Sequence, residues 1–251
     1  MEGKHVIFEC ERINKNFGGL QALSEVSFKV WRKEIVGIMG PNGAGKTTLF
    51  NIISGALRPA SGTLRLEGKS LLNFRPHIIC KMGIGRTYQT VRPFLGFTAL
   101  ENVVAGVLFG KSEENLTKKV AEEKAAELLK FVSLEGKEKV LTNNLNLNDR
   151  KKVELARTLA TKPTLILLDE ILSGLNPGEL ERSMLLIRKI RDDLGITVMW
   201  IEHIMGALMG VCERIIVLHY GEKIAEGTPK EISSNKDVSE VYLGGRPVKI
   251  I

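Results

Sequence analysis

The stretch GPNGAGKT, Gly40 to Thr47, constrains this chain more than any other. It follows an apolar, β-branched run, EIVGIMG from Glu34, and leads into TTLFNIISG, which reads as a helix. A GxxxxGK[ST] loop between strand and helix closes backbone N–H groups around phosphate oxygens, and the helix N-terminus adds partial positive charge. Gly40, Pro41, Asn42, Gly43, Ala44, Gly45, Lys46, Thr47 and Thr48 are therefore expected to form a phosphate cradle. In it Lys46 reaches the β- and γ-phosphates and the Thr47 hydroxyl is offered to Mg²⁺.

A loop of this kind needs a parallel sheet behind it, and the sequence supplies one. TLILLDE from Thr164 and GITVMWIEH from Gly195 are buried-strand runs that end in polar residues, where open α/β sheets bind ligands. Asp169 then stands where a carboxylate holds Mg²⁺ through water, Glu170 where one polarises an attacking water, and His203 within reach of a γ-phosphate. KHVIFECERINKNF and ALSEVSFKV alternate like antiparallel strands, and RIIVLHYGEKIAEG reads as a hairpin turning at Tyr220-Gly221. From about Thr98 to Leu134 the pattern is helical, with Leu116, Val120, Leu128 and Val132 at near-helical intervals and Ser112 as N-cap.

At 251 residues the chain holds one α/β domain with at most a small subdomain. Cys10, Cys80 and Cys212 lie far apart without CxxC spacing, which indicates reduced thiols and neither a zinc site nor a disulfide framework. MEGKHVIFEC lacks a signal peptide's apolar core, and no run of about 18 apolar residues could span a membrane, so service to a membrane would require docking on other chains. The net charge of +7 suits anionic partners. Its basic residues are dispersed and partly paired with glutamates, as in EENLTKKVAEEKAAELLK, which fits a solvated helix face and no nucleic-acid partner.

These residues, in this order, resemble the nucleotide-binding subunits of ABC transporters over nearly the whole chain. The resemblance implies an ABC-type P-loop NTPase: a mainly parallel α/β core, an antiparallel β subdomain and a helical subdomain inserted at about 90–160, with a family tail at about 225–251. It implies ATP and Mg²⁺ as ligands. Phe17 in NKNFGGLQAL looks like the aromatic that stacks on adenine, and Gln89 in GIGRTYQT like the glutamine joining Mg²⁺ and the attacking water to the membrane subunits. His203 falls on the family's switch histidine, and LSGLNP resembles the loop that crosses to the partner, with Asn176 where Asp is usual. Ile171 replaces a common Pro after the acidic pair.

One segment departs further. The family's Leu-Ser-Gly-Gly-Gln signature, which binds the γ-phosphate held by the opposite subunit, is here Leu145, Asn146, Leu147, Asn148 and Asp149. Both glycines are gone, although a close backbone approach to phosphate favours residues without a Cβ. Asn146 can donate an amide and Asp149 suits a helix N-terminus, but an added carboxylate near ATP repels it. Two readings stay open: an impaired signature, or a loop that binds phosphate through its remaining N–H groups at Asn146, Leu147 and Asn148.

NFGGLQAL, GIGRTYQT, FTALENV, GLNPGE, IEHIM, VCERIIVLHYGEKIAEGTP and YLGG are most similar to the branched-chain amino acid importers' ATPase subunits. The expected protein is a peripheral ATPase at the cytoplasmic face of the membrane. It pairs with a second ATPase subunit, identical or not, binds integral permease subunits and serves a substrate-binding protein indirectly. Systems for urea, short amides or lipid export, and a soluble non-transport ABC ATPase, are the alternatives. A nucleotide-binding regulator without turnover is disfavoured by Glu170 and Gln89.

Overall fold

A computed structural model describes residues 5–111 and 116–243. Ser112 and the glycines of YLGG lie outside the described residues. The strands in chain order are β1 (Val6–Phe17), β2 (Leu20–Trp31), β3 (Ile35–Met39), β4 (Ser61–Leu66), β5 (Lys69–Ser70), β6 (Ile84–Arg86), β7 (Leu165–Asp169), β8 (Thr197–Ile201), β9 (Arg214–His219) and β10 (Glu222–Gly227). The helices are α1 (Lys46–Ile53), α2 (Pro76–Met82), α3 (Ala99–Phe109), α4 (Lys118–Phe131), α5 (Leu147–Ala160), α6 (Pro177–Asp192), α7 (Met205–Val211), α8 (Pro229–Ser234) and α9 (Lys236–Leu243).

Two sheets form. One is antiparallel, in the order β2-β1-β4-β5; the other runs β10-β9-β3-β8-β7-β6 and is parallel except for the β9–β10 hairpin. Strands β3, β7 and β8, the three apolar runs expected to be parallel, are adjacent and buried at every residue. Their continuous apolar character follows from being covered on both faces. In β7, Leu165 and Leu167 pack with α1 and the antiparallel sheet, while Ile166 and Leu168 pack with the helices beyond. Successive side chains thus feed two cores, and the loops after the strands are left to carry polar groups.

The expected helical stretch forms α3 and α4, packed chiefly through small residues. Helix α4 is capped by Thr117, whose side chain accepts from the Val120 N–H, and Thr98 caps α3 in a reciprocal pair with Glu101. The buried positions are Ala121, Ala125, Leu129 and Val132, and Val120 is left 36% exposed. Alanines line the inner face because α3 and α4 pack closely against α5. At Gly106 on α3 a Cβ would lie 2.3 Å from the Arg157 carbonyl oxygen, so the two helices meet backbone to backbone. Among the described residues, no helix is long and apolar enough to cross a membrane.

Candidate nucleotide site

The phosphate loop leaves β3 and enters α1 with no capping side chain: its N-cap is Gly45, at φ 99°, and the first turn carries no acid. Two glycines are required for different reasons. Gly43 has open space around it but sits at φ 79°, whereas a Cβ at Gly40 would lie 2.3 Å from the Leu218 carbonyl oxygen. The Lys46 ammonium is buried and donates to the carbonyls of Gly40, at 2.6 Å, and Pro41, at 2.9 Å. Burial lowers its pKa, and the nearby Glu170 and Asp169 partly oppose that.

A cavity of about 590 Å³ opens over this loop. Phe17, Asn42, Gly43, Ala44, Gly45, Lys46, Thr47, Thr48, Gln89, Glu170 and His203 line it, so one chain brings these expected residues together. Phe17 is 47% exposed at the rim, with the Lys15 ammonium 5.2 Å from its ring centre. Gly40 and Pro41 contribute through the Lys46 ammonium, and Asp169, which precedes Glu170, does not line the cavity.

Glu170 is the hub of the polar cluster. It follows β7 with φ 50°, a left-handed conformation that a side-chain-bearing residue adopts at a cost of about 1–3 kcal/mol. Its Oε2 accepts from Gln89 Nε2 at 2.7 Å and its Oε1 lies 2.7 Å from His203 Nε2. His203 follows β8, the strand next to β7. The backbone around it is held by the buried Glu202, whose carboxylate accepts from the His203 and Leu172 N–H groups. Burial raises the Glu202 pKa.

Asp169, the last residue of β7, is 2% exposed. Its Oδ2 accepts from Arg86 Nη2 at 3.1 Å, and its Oδ1 is buried with no hydrogen-bond partner among the described residues. Burial raises its pKa, and the Arg86 guanidinium partly opposes the rise. A buried carboxylate oxygen left without a donor is the acceptor that a cation, or water held by one, would satisfy. The Thr47 hydroxyl and Gln89 amide belong to the adjoining cavity, so these three residues fit Mg²⁺.

The altered signature lies outside that cavity, and of its residues Leu147 lines another, of about 440 Å³, together with Gln89, Lys151 and Ser173. Asn146 is the N-cap of α5, its Oδ1 accepting from the Asp149 N–H at 2.8 Å. Asn148 Nδ2 donates to Glu179 Oε1 at 2.8 Å, while Leu147 is 54% exposed. Glu179 also closes a capping box with Asn176, so the starts of α5 and α6 are tied together. Asp149 corrects an expectation: its carboxylate is buried and accepts from the Lys137 ammonium at 2.6 Å. Its charge is met within the chain, which weakens the repulsion expected toward ATP.

Several lining residues stand in stretches quoted above but have no role in the site from the sequence alone. Leu20, Gln21, Ala22 and Tyr220 complete the cavity beside Phe17. Tyr220 is 81% exposed at φ 45° in the β9–β10 turn, and an aromatic so exposed in a tight turn was the available signal. The next residue fixes the turn: the Gly221 N–H donates to the Ala44 carbonyl at 3.1 Å and its carbonyl accepts from the Ser24 N–H at 2.9 Å.

Known proteins resemble this chain in sequence and fold. Residues 23–173 match the ABC transporter family, and residues 222–247 match the family described as branched-chain amino acid ATP-binding cassette transporter. The high-affinity branched-chain amino acid transport ATP-binding protein BraF of Pseudomonas aeruginosa is 36% identical over 95% of this chain and 98% of its own. The lipopolysaccharide export system ATP-binding protein LptB of Haemophilus influenzae is 34% identical over 95% of this chain and 97% of its own. Among solved structures, an ATP-binding cassette of an ABC transporter in its ADP conformation superposes with a TM-score of 0.86 at 31% identity, covering 95% of this chain and 99% of that one. From the phosphate loop to the C-terminal elements, then, this chain belongs to the ABC transporter family, as an ATP-binding and ATP-hydrolysing cassette.

Proposed function

We propose that this cassette drives an importer of branched-chain or related amino acids, closing on a second ATPase subunit around ATP at the cytoplasmic face of the membrane. The single observation that carries hydrolysis is the Gln89–Glu170–His203 cluster opening into the cavity that holds Lys46. In this reading the phosphate-loop N–H groups and Lys46 grip the phosphates, Phe17 stacks on adenine, and Thr47, Gln89 and Asp169 hold Mg²⁺. Bound there, Mg²⁺ neutralises phosphate charge. Glu170 accepts a proton from water as the water oxygen bonds to the γ-phosphorus and the bond to the bridging oxygen of ADP breaks. His203, already within hydrogen-bond distance of Glu170, orients that carboxylate and reaches the γ-phosphate.

The amino acid cargo is supported by the C-terminal match at residues 222–247 and by full-length similarity to BraF. One cassette spans the chain, with about 90–160 as its helical part and about 225–251 as its tail. Permease subunits dock on the cassette, and a substrate-binding protein acts through them. Asn146, Leu147 and Asn148 face the γ-phosphate held by the partner ATPase. The test is reconstitution. The chain, assembled with the permease and binding-protein subunits of a branched-chain amino acid importer, should support ATP-dependent leucine uptake into vesicles. Stimulation of ATP hydrolysis by a lipid cargo, with no amino acid uptake, would favour the export reading that LptB's similarity allows.

A further inference from the structure

We propose that Arg86 is a positioning residue that aims Asp169 at the Mg²⁺ of bound nucleotide; the inference rests on the ATP and Mg²⁺ reading above. Arg86 ends β6, beside β7, and its guanidinium is almost wholly enclosed. It makes three hydrogen bonds to two elements. Nη2 donates to Asp169 Oδ2 at 3.1 Å, and Nη1 donates to Asn51 Oδ1 at 2.7 Å and Ser54 Oγ at 2.8 Å.

Those contacts decide which carboxylate oxygen is free. With Oδ2 occupied by Arg86, the acceptor left without a donor is Oδ1. Asn51 and Ser54 lie on and just after α1, the helix that begins at Lys46 and Thr47. One planar fork therefore spans from the helix bearing the Thr47 hydroxyl to the strand bearing Asp169. The third expected magnesium residue is tied in as well: the guanidinium lies 4.8 Å from the ring centre of Tyr88, the residue before Gln89. Arg86 thus touches the element or the neighbour of each of the three. A lysine carries its charge at a point on a flexible stem and does not reproduce a fixed fork to separate acceptors.

The test separates metal from nucleotide. The affinity of the full chain for a non-hydrolysable ATP analogue is measured by calorimetry in EDTA and in saturating Mg²⁺, and the ratio of the two dissociation constants is the readout. In Arg86→Gln the ratio should fall by at least about tenfold toward unity, with affinity in EDTA changing less than about twofold; Arg86→Lys should recover only part of it. An unchanged ratio, or equal loss with and without Mg²⁺, overturns the positioning role. Removing Arg86 leaves a buried carboxylate without its partner and can unfold the chain. Ser54→Ala and Asn51→Ala loosen the fork without that penalty, and each should lower the ratio about two- to fivefold. Wild type failing to bind the analogue would instead sink the ATP reading, and wild type binding it equally with and without Mg²⁺ would sink the magnesium reading.

Discussion

Two helix N-termini in this chain are built in opposite ways. At α1 the N-cap is a glycine, no side chain caps the turn and no acid sits in it. At α5 the N-cap is Asn146, its side chain satisfies the Asp149 N–H, and Asp149 is itself paired with Lys137. The first end keeps its donors and partial positive charge for a ligand, whereas the second consumes part of both internally. The choice between glycine and a capping residue therefore sets how much of a helix end is left for a ligand.

The largest effect that tests this contrast is loss of binding at α1. Lys46→Ala should abolish measurable ATP binding in calorimetry while the melting temperature without ligand is retained; unchanged affinity would break the comparison at its stronger end. Glu170→Gln comes next. It keeps a hydrogen-bonding side chain between Gln89 and His203 but removes the proton acceptor, so steady-state ATP hydrolysis should fall about 10²–10⁴-fold with nucleotide affinity preserved. An ATP-dependent dimer should then accumulate on size-exclusion chromatography.

The α5 end gives smaller effects. Replacing Asn146, Leu147, Asn148 and Asp149 with Ser, Gly, Gly and Gln should raise turnover of this chain alone several-fold. It should also lower the melting temperature, since each glycine costs about 1 kcal/mol in a helix and the Lys137 pair is lost. No gain in turnover would mean that the present loop already works as a signature. In a complex with a partner carrying the usual glycines, Glu170→Gln in this chain should remove most activity and the equivalent change in the partner little.

The subtlest test concerns pH. Burial pushes Glu154 on α5 up to about 7 from 4.5, opposed chiefly by Arg157 and by backbone N–H groups of Arg92 and Tyr88. Its folded pKa exceeds its unfolded one, so the native state holds the proton more tightly. Its contribution to stability is full below about pH 4.5 and is lost as pH rises through about 7. Glu154→Gln should flatten that decline, with a melting temperature gaining on wild type between pH 5 and pH 8. A parallel offset at both pH values would assign the effect to packing instead.

Much of the fold could be read from the sequence because its signals are local. A strand, a glycine-rich turn and a helix are contiguous in residues 34–53, and β3, β7 and β8 declare themselves by unbroken apolar runs. The near-helical spacing of Leu116, Val120, Leu128 and Val132 marks a helix without marking its whole inner face, where close packing also buries Ala121 and Ala125 and leaves Val120 36% exposed. Asp149 was misread because its cation is 12 residues away, beyond any helical spacing. Arg86 stands in GIGRTYQT but the sequence gives it no role, since its partners come from α1 and β7, brought together only by the fold. The importer reading came from resemblance of motifs, not from any pattern of charge or periodicity.

The Gly221 turn has a mechanical consequence. Strand β10 leads into α8 and α9, and at its other end one residue, Gly221, is bonded to both Ala44 and Ser24. The turn that opens β10 is therefore fastened directly to the phosphate cradle, by one hydrogen bond to Ala44. Any side chain at Gly221 would prise that fastening apart, because a Cβ there would sit 2.7 Å from the Ala22 carbonyl oxygen.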